Sequence, residues 1–164
     1  MFDYRPSIGV TKSELYREMT EAAKALTARE PDPVANMANL SALLAMFLSD
    51  VNWCGFYRLV NEELVLGPFI GKPACIRIPL GTGVCGVAAQ NGETQCVADV
   101  REFPGHIACD ADTLSELVVP VGFKGNVIAV IDCDSPVLAR FDASDVKGMQ
   151  SFATAIAPVI AARN

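Results

Sequence analysis

The chain has 164 residues, 51% of them hydrophobic, and a formal net charge of −6. This length suits one domain with a full hydrophobic core, and the high hydrophobic content excludes an intrinsically disordered chain. The negative charge and the lack of any run of Lys or Arg argue against a nucleic-acid partner, because a phosphate backbone would be repelled.

The N-terminal sequence MFDYRPSIGVTK has no apolar core of the kind that a secretory signal needs, and we expect residues 1–10 to be loosely ordered. The longest uncharged run, residues 33–49, is too short for a membrane span and predicts a buried helix instead. Six cysteines without a signal sequence are typical of a reducing cytosol. We therefore expect a cytoplasmic protein whose thiols stay free unless they are redox-active or bind a metal.

Two helices are predicted at the start of the chain. Thr11 and Glu14 match a capping box, and apolar residues at helical spacing follow to about residue 28. Asp32 is a suitable N-cap for the second helix, with Pro33 at its first position.

The pattern then changes to that of strands. Two β-hairpins are predicted, 51–59 with 64–70 and 116–122 with 126–134. Their turns are expected at Asn61-Glu62-Glu63 and Lys124-Gly125-Asn126. Because hairpins pair strands in opposite directions, the sheet should be largely antiparallel.

Shorter elements lie between and after the hairpins. Residues 74–78 and 94–98 predict short strands, and Gly81 to Gly92 predict a short helix that a glycine opens. Residues 100–115 predict a long irregular region with one helical turn, and such loops are often functional. A last helix begins after the N-cap Asp142, and Pro158 should kink it or end its regular part. The prediction is one α+β domain over residues 1–164, with N- and C-terminal helices packed on its sheet.

Residues 81–86, GTGVCG, match the pattern G-x-G-x-x-G of dinucleotide-binding turns. Such a site requires a parallel βαβ unit, and this chain is rich in hairpins. We therefore interpret these glycines as parts of a tight turn.

The chain has one histidine and no C-x-x-C motif, so a zinc site would need scattered ligands, and no metal is expected. His106 and Cys109 are three residues apart with no obvious third group to orient them, and His106 is interpreted as a loop residue. Cys109 lies in a polar, turn-like segment. It is the best candidate for a nucleophile, because only an accessible and partly ionised thiol attacks a substrate.

Alternation along residues 129–134 predicts that Cys133 faces the core while Asp132 and Asp134 face the opposite side. Two neighbouring carboxylates are costly there unless they meet solvent, a cation or each other's proton. A solvated strand end and a functional acidic site both remain open. Cys54 and Cys96 lie in apolar strand segments and are interpreted as core residues.

Four segments, in this order and spacing, closely resemble the free methionine-R-sulfoxide reductases, which are stand-alone GAF domains. They are NWCGFY, GPFIGKPACIRIPLGTGVCG, GHIACDADTLSE and VIDCDS. The resemblance implies a GAF fold and the reduction of free L-methionine (R)-S-oxide to L-methionine. The GAF fold hosts many functions, so a match to the fold alone indicates no particular one. These motifs are a more specific match than that.

The resemblance also implies roles for single residues. Cys109 would be the nucleophile and Cys75 would resolve it through a disulfide, with Cys85 near the site as an alternative partner. The substrate would be bound and protonated by Glu116, Asp132 and Asp134, and its S-methyl end would be bordered by Trp53 and Tyr57.

The chemistry requires an acid, because sulfoxide oxygen leaves readily only when it is protonated. Crowded carboxyl groups share protons, so one could stay protonated while another holds the ammonium group of a free amino acid. The resemblance implies no bound cofactor, electrons from thioredoxin (through thioredoxin reductase and NADPH) and a homodimer. The alternatives are a sensory GAF module that binds a small ligand, such as a cyclic nucleotide, and a thiol redox sensor whose disulfide between residues 75 and 109 signals without turnover.

Overall fold

The computed structural model describes residues 4–105 and 111–161. Its α-helices are α1 (Lys12–Thr27), α2 (Pro33–Phe47), α3 (Gly83–Asn91) and α4 (Ala143–Ile160), and a 3-10 turn covers Val100–Glu102. Its strands are β1 (Trp53–Val60), β2 (Glu63–Ile70), β3 (Arg77–Pro79), β4 (Gln95–Val97), β5 (Ser115–Phe123) and β6 (Asn126–Ser135). Across the described ranges, none of the helices has the length and apolar character that a membrane crossing needs.

The strands form one sheet in the order β3-β2-β1-β6-β5-β4, and every neighbouring pair is antiparallel. β6 therefore lies in the middle, between the first strand of the first hairpin and the first strand of the second. The predicted α+β domain with an antiparallel sheet is confirmed.

Local sequence signals account for the helix starts. Thr11 and Glu14 make both hydrogen bonds of a capping box at α1, and the side chain of Asp32 accepts from the first turn of α2. Asp142 accepts from the backbone N–H groups of Ser144 and Asp145 at the start of α4. Each cap satisfies backbone donors that the helix itself leaves unpaired.

The two faces of the sheet carry different layers. On one face α1, α2 and α4 cover the main core, to which Phe56, Leu117 and Ile131 belong. On the other face α3 and the loops around it cover a smaller apolar cluster that includes Tyr57 and Val130. The strand alternation decides which residue of each strand joins which layer.

Several boundaries differ from the predicted ones. The short strand β3, which precedes α3, begins at Arg77, whereas the prediction placed its start at residue 74. The second hairpin turns on Lys124 and Gly125 alone, with φ values of +51° and +85° that suit a two-residue turn. α4 continues to Ile160, so Pro158 lies within its last turn and does not end it.

The core assignments of the cysteines are confirmed for two of three. Cys54 and Cys133 are buried in the main core. The assignment of Cys96 is wrong, because this residue is exposed. It lies on β4, which has a neighbour on one side only and forms an edge of the sheet. An apolar strand segment at a sheet edge has less structure available to cover it.

Candidate active site

The strand register brings three carboxyl groups to one place. On β6, Asp134 lies opposite Trp53 of β1 and opposite Glu116 of β5. Asp132 lies two residues away on the same face, opposite Gly55 and Val118. Since residues two apart share a face, all three carboxyl groups point to the side that carries α3.

A pocket opens between this face of the sheet, the start of α3 and the loop of residues 71–76. It is lined by Trp53, Tyr57, Lys72, Pro73, Ala74, Ile78, Thr82, Gly83, Val84, Cys85, Thr113, Glu116, Asp132 and Asp134. Six residues that the sequence singled out are among them, from four separate elements. The pocket thus combines an aromatic wall, an acidic floor and the first turn of a helix.

Trp53 forms much of the aromatic wall. Its ring stacks on Tyr57 and Phe69, with centroid distances of 5.9 Å and 5.1 Å. Its Nε1–H donates a hydrogen bond of 3.1 Å to the carbonyl oxygen of Lys72. The indole lies so close to Gly71 that a Cβ there would come within 2.4 Å of Cδ1. The absence of a side chain at Gly71 therefore lets the 71–76 loop pack against the indole.

The same loop carries Cys75. The hydroxyl of Tyr57 donates a hydrogen bond of 3.0 Å to the carbonyl oxygen of Cys75, which ties the loop to β1. Cys75 is half-buried and disulfide-bonded. The free cysteines among the described residues are Cys54, Cys85, Cys96 and Cys133.

The acidic floor is buried. Glu116 and Asp132 are each only 6% exposed, and Asp134 is half-buried. Cys85 reaches down from α3, with its Sγ 4.0 Å from Oε1 of Glu116. Oδ1 of Asp132 is buried without a hydrogen-bond partner among the described residues. The interpretation of the two β6 carboxylates as a solvated strand end is therefore wrong for Asp132.

Burial governs the protonation of this cluster. It raises the pKa of Asp132 to about 7, against a smaller lowering by the hydrogen bond from Cys85. Burial also raises the pKa of Glu116 well above its usual value, and the charges of Asp132 and Asp134 add to that effect. Burial is also the main cause of the raised pKa of the Cys85 thiol, and the charges of Asp132 and Glu116 raise it further. Each charged form lacks water here, so protons are retained to neutral pH.

This arrangement can supply a proton near neutral pH, because a carboxyl with a pKa of about 7 exchanges protons readily there.

Cys85, Glu116 and Asp132 also place one donor atom each within 4.8 Å of one another, close enough to coordinate one metal ion. The sequence suggested only scattered ligands. Folding brings these three together from α3, β5 and β6.

Two residues from the sequence analysis, His106 and Cys109, lie outside the described residues. The pocket also contains residues that sequence reasoning did not assign to it, among them Lys72, Thr82 and Thr113. Lys72 belongs to the segment GKPAC, which is part of the motifs that carry the family resemblance. The sequence therefore did contain a signal that Lys72 lies near the site. Thr113 lies in the irregular region, where no periodicity indicates which way a side chain points.

The G-x-G-x-x-G segment forms a tight turn into α3, as predicted. Gly81 and Gly83 have φ values of +76° and +62°, which favour glycine. A Cβ on Gly86 would lie 2.4 Å from the carbonyl oxygen of Pro79, so this glycine allows close packing of the helix on the preceding strand. The neighbouring strands are antiparallel, unlike a dinucleotide-binding βαβ unit.

Comparison with known proteins places this geometry in a family. The family model described as GAF domain matches residues 34–160. Free methionine-R-sulfoxide reductase of Escherichia coli is 45% identical over 152 residues, covering 93% of this chain and 92% of that protein.

Solved structures agree with this similarity. The structure of free methionine-R-sulfoxide reductase from Neisseria meningitidis in complex with its substrate is 41% identical, with a TM-score of 0.92 over 98% of this chain and 96% of that one. A structure from Burkholderia vietnamiensis that is named as a GAF sensor protein is 52% identical, with a TM-score of 0.88 over 92% of this chain and 96% of that one. These similarities cover nearly the full length on both sides.

Proposed function

We propose a reaction for this chain on the premise that it belongs to the GAF domain family and, within it, to the free methionine-R-sulfoxide reductases. It is accordingly an oxidoreductase. The substrate that we propose is free L-methionine (R)-S-oxide, and the product is L-methionine. The observation that carries the proposal is the buried Asp132, whose pKa of about 7 suits a proton donor in a pocket with an aromatic wall.

In the first step that we propose, the thiolate of Cys109 attacks the sulfoxide sulfur. A protonated carboxyl of the floor formed by Glu116, Asp132 and Asp134 donates its proton to the sulfoxide oxygen. The oxygen passes to the sulfur of Cys109, the substrate sulfur gains two electrons, and methionine leaves a sulfenic acid on Cys109.

In the second step the thiol of Cys75 attacks the sulfenic acid, a disulfide forms and water leaves. The disulfide bond of Cys75 supports a resolving role for this residue, because a resolving cysteine alternates between thiol and disulfide. Cys85 is the less suitable partner because its buried thiol has a raised pKa and is held as the thiol, which is a poor nucleophile.

Thioredoxin would reduce the disulfide and so close the cycle, with electrons from thioredoxin reductase and NADPH and without a bound cofactor. We further propose that the enzyme acts in the cytoplasm, where thioredoxin keeps thiols reduced, and that it is a homodimer. The dimer is checked by the molar mass in solution from light scattering.

Trp53 and Tyr57 would receive the S-methyl end of the substrate. Their stacked rings offer an apolar surface whose geometry is fixed by the hydrogen bonds of Trp53 to Lys72 and of Tyr57 to Cys75. The carboxyl groups that line the same pocket would leave the polar sulfoxide oxygen facing an acid. A substrate would therefore be oriented by its polarity as well as by its shape.

A ligand-binding sensory role is the second candidate, and the similarity to the structure named as a GAF sensor protein favours it. The deciding experiment measures methionine release from the separate R- and S-sulfoxides with thioredoxin, thioredoxin reductase and NADPH. We expect turnover of the R form alone and its loss in Cys109→Ser. A folded, reduced protein that releases no methionine from either would refute the enzyme and favour the sensor.

A further inference from the structure

The 71–76 loop, which carries Cys75, is joined to the aromatic wall of the pocket at two points. Near its start, the carbonyl oxygen of Lys72 accepts a hydrogen bond of 3.1 Å from Nε1–H of Trp53. Near its end, the carbonyl oxygen of Cys75 accepts a hydrogen bond of 3.0 Å from the hydroxyl of Tyr57. Residues 71–76, all of them described, form no helix or strand. Single hydrogen bonds therefore contribute much to the position of this loop.

Two hydrogen bonds act at the Cys75 end of the loop, and they differ in kind. The backbone N–H of Leu66 on β2 donates a hydrogen bond of 2.9 Å to the carbonyl oxygen of Ile76, where the chain joins the sheet. Cys75 itself is held by the side chain of Tyr57. A substitution can remove this second bond without changing any backbone group, so its contribution can be measured by itself.

The hydroxyl of Tyr57 is a fixed donor. Tyr57 is 2% exposed and lies on β1, which has β2 and β6 on its two sides. Its ring stacks on the ring of Trp53. Burial raises the pKa of Tyr57 far above its usual value, and the charge of Asp132 raises it further. The hydroxyl therefore keeps its proton over the whole working range of pH, and an interior strand of the sheet directs it at the loop.

We infer that Tyr57 is a positioning residue for Cys75, because its hydroxyl holds the loop where the sulfur of Cys75 can form its disulfide. A disulfide forms only when the two α-carbons lie within about 7 Å and the torsion about the sulfurs is in a narrow range. A loop that is already held loses less conformational freedom when the bond forms. The kinetic part of this inference rests on the proposed function, whereas its equilibrium part needs only the disulfide of Cys75.

A competing role for this hydroxyl is to donate a proton or a hydrogen bond to the sulfoxide oxygen. A hydroxyl has one proton to donate, and that of Tyr57 is directed to the carbonyl oxygen of Cys75. The same pocket contains the buried carboxyl groups of Glu116 and Asp132, which retain protons to neutral pH. The geometry thus leaves the acid to the carboxyl groups and gives the hydroxyl of Tyr57 to the loop.

The equilibrium part is tested by the reduction potential of the disulfide in dithiothreitol buffers. There the protein disulfide gains two electrons and two protons to become two thiols, while dithiothreitol is oxidised to its cyclic disulfide. We expect Tyr57→Phe, which keeps the ring, to weaken the disulfide by about 3- to 10-fold, the range for one hydrogen bond. The potential would then be less negative by about 14–30 mV. Alkylation under denaturing conditions followed by mass spectrometry gives the reduced fraction.

Tyr16→Phe is the matched control. Tyr16 is 3% exposed, and its hydroxyl donates a hydrogen bond of 3.1 Å to Oδ1 of Asp145 in the main core, on the other face of the sheet. This variant also loses a buried hydroxyl, but it should keep the wild-type potential. A wild-type potential in Tyr57→Phe, or an equal shift in both variants, would overturn the inference.

A second replacement covers the case in which Tyr57→Phe does not fold. Replacing Tyr57 by 3-fluorotyrosine keeps the hydroxyl and makes it more acidic, and hence a stronger donor. We expect the potential to become more negative than that of the wild type, because the loop is then held more firmly. An unchanged or less negative potential would contradict the inference.

Single-turnover kinetics separate this inference from the proposed reaction. Rapid quenching follows methionine release and disulfide formation in the same samples. We expect Tyr57→Phe to slow disulfide formation by about 3- to 10-fold more than it slows methionine release. A larger effect on methionine release would assign the hydroxyl to the sulfoxide oxygen and refute the positioning role. If the wild type releases no methionine, the reductase is refuted, and the potential of Tyr57→Phe still decides the role of Tyr57.

Discussion

Glu116 and Asp132 bring their carboxyl oxygens within 4.8 Å of each other although they are not opposite residues in the sheet. Glu116 is paired with Asp134, and Asp132 with Val118, so the two carboxyl groups are diagonal neighbours across β5 and β6. Diagonal side chains of this length can reach each other. Both are buried, and the consequence is a pair of acids that hold protons at a pH where exposed carboxyl groups have lost them.

The raised pKa of Asp132 predicts a pH dependence of stability. Its folded value of about 7 exceeds its usual value of 3.8, so the folded state binds more protons between these limits. The contribution of Asp132 to the free energy of unfolding should therefore be greatest below about pH 4 and should fall as the pH rises to about 7. The loss is on the order of 2–4 kcal/mol. Asp132→Asn should show a shallower fall, measured by urea unfolding at several pH values.

The control for this experiment is Asp50→Asn, since Asp50 is exposed. It should retain the wild-type slope of stability against pH. A slope in Asp132→Asn equal to that of the wild type would show that the buried carboxyl does not take up the proton.

Cys75→Ser separates the two proposed steps. Without the resolving thiol, the reaction should stop at the sulfenic acid, so that about one methionine is released per chain and thioredoxin supports no further turnover. Rapid-quench measurement of methionine against enzyme concentration checks this. Cys96→Ser is the matched control, because Cys96 is free and exposed, and it should turn over repeatedly. Continued turnover in Cys75→Ser would assign the resolving role to another cysteine.

The hydrogen bond of Trp53 to Lys72 is expected to position the indole for the substrate. Trp53→Phe keeps an aromatic ring against Tyr57 and Phe69 but removes the Nε1–H donor. We expect KM to rise by about 2- to 10-fold with little change in kcat, the range for one hydrogen bond. Trp53→Ala should also lower the free energy of unfolding by about 3–5 kcal/mol. An unchanged KM in Trp53→Phe would remove this positioning role.

Gly86 is required for the packing of α3 on the strand before it. In Gly86→Ala the new Cβ would meet the carbonyl oxygen of Pro79 at 2.4 Å, a backbone atom that cannot rotate away. We expect a loss of about 1–3 kcal/mol in the free energy of unfolding, measured by denaturant titration. Gly122→Ala is the control, since the nearest atom to its Cβ would be 3.9 Å away. Equal stability of both variants would mean that α3 shifts without cost.

Much of the fold followed from residues close together in sequence. Thr11 and Glu14, Asp32 with Pro33, and Asp142 predicted the starts of three helices, because a capping hydrogen bond spans only three residues. Strand alternation predicted that Cys133 and Asp132 lie on opposite faces of β6. The same local rules were less accurate for β3, whose pairing with β2 begins only at Arg77, and for the end of α4, which continues past Pro158 to Ile160.

Both the sequence motifs and the structure were needed to define the candidate site. The motifs predicted which residues take part, and the structure brings Trp53, Tyr57, Cys85, Glu116, Asp132 and Asp134 to one pocket. Their roles in catalysis stay predictions, and Cys109 lies outside the described residues.

The sequence by itself determined the elements, their caps and the face on which each strand residue lies, since these depend on backbone geometry within a few residues. Only the tertiary structure decided how deeply each face is buried. The sheet order places β6 in the middle, so Asp132 is covered by α3, and it places β4 at an edge, so Cys96 is exposed. Burial depends on which distant elements pack on a face, and a pKa that burial shifts depends on the same packing.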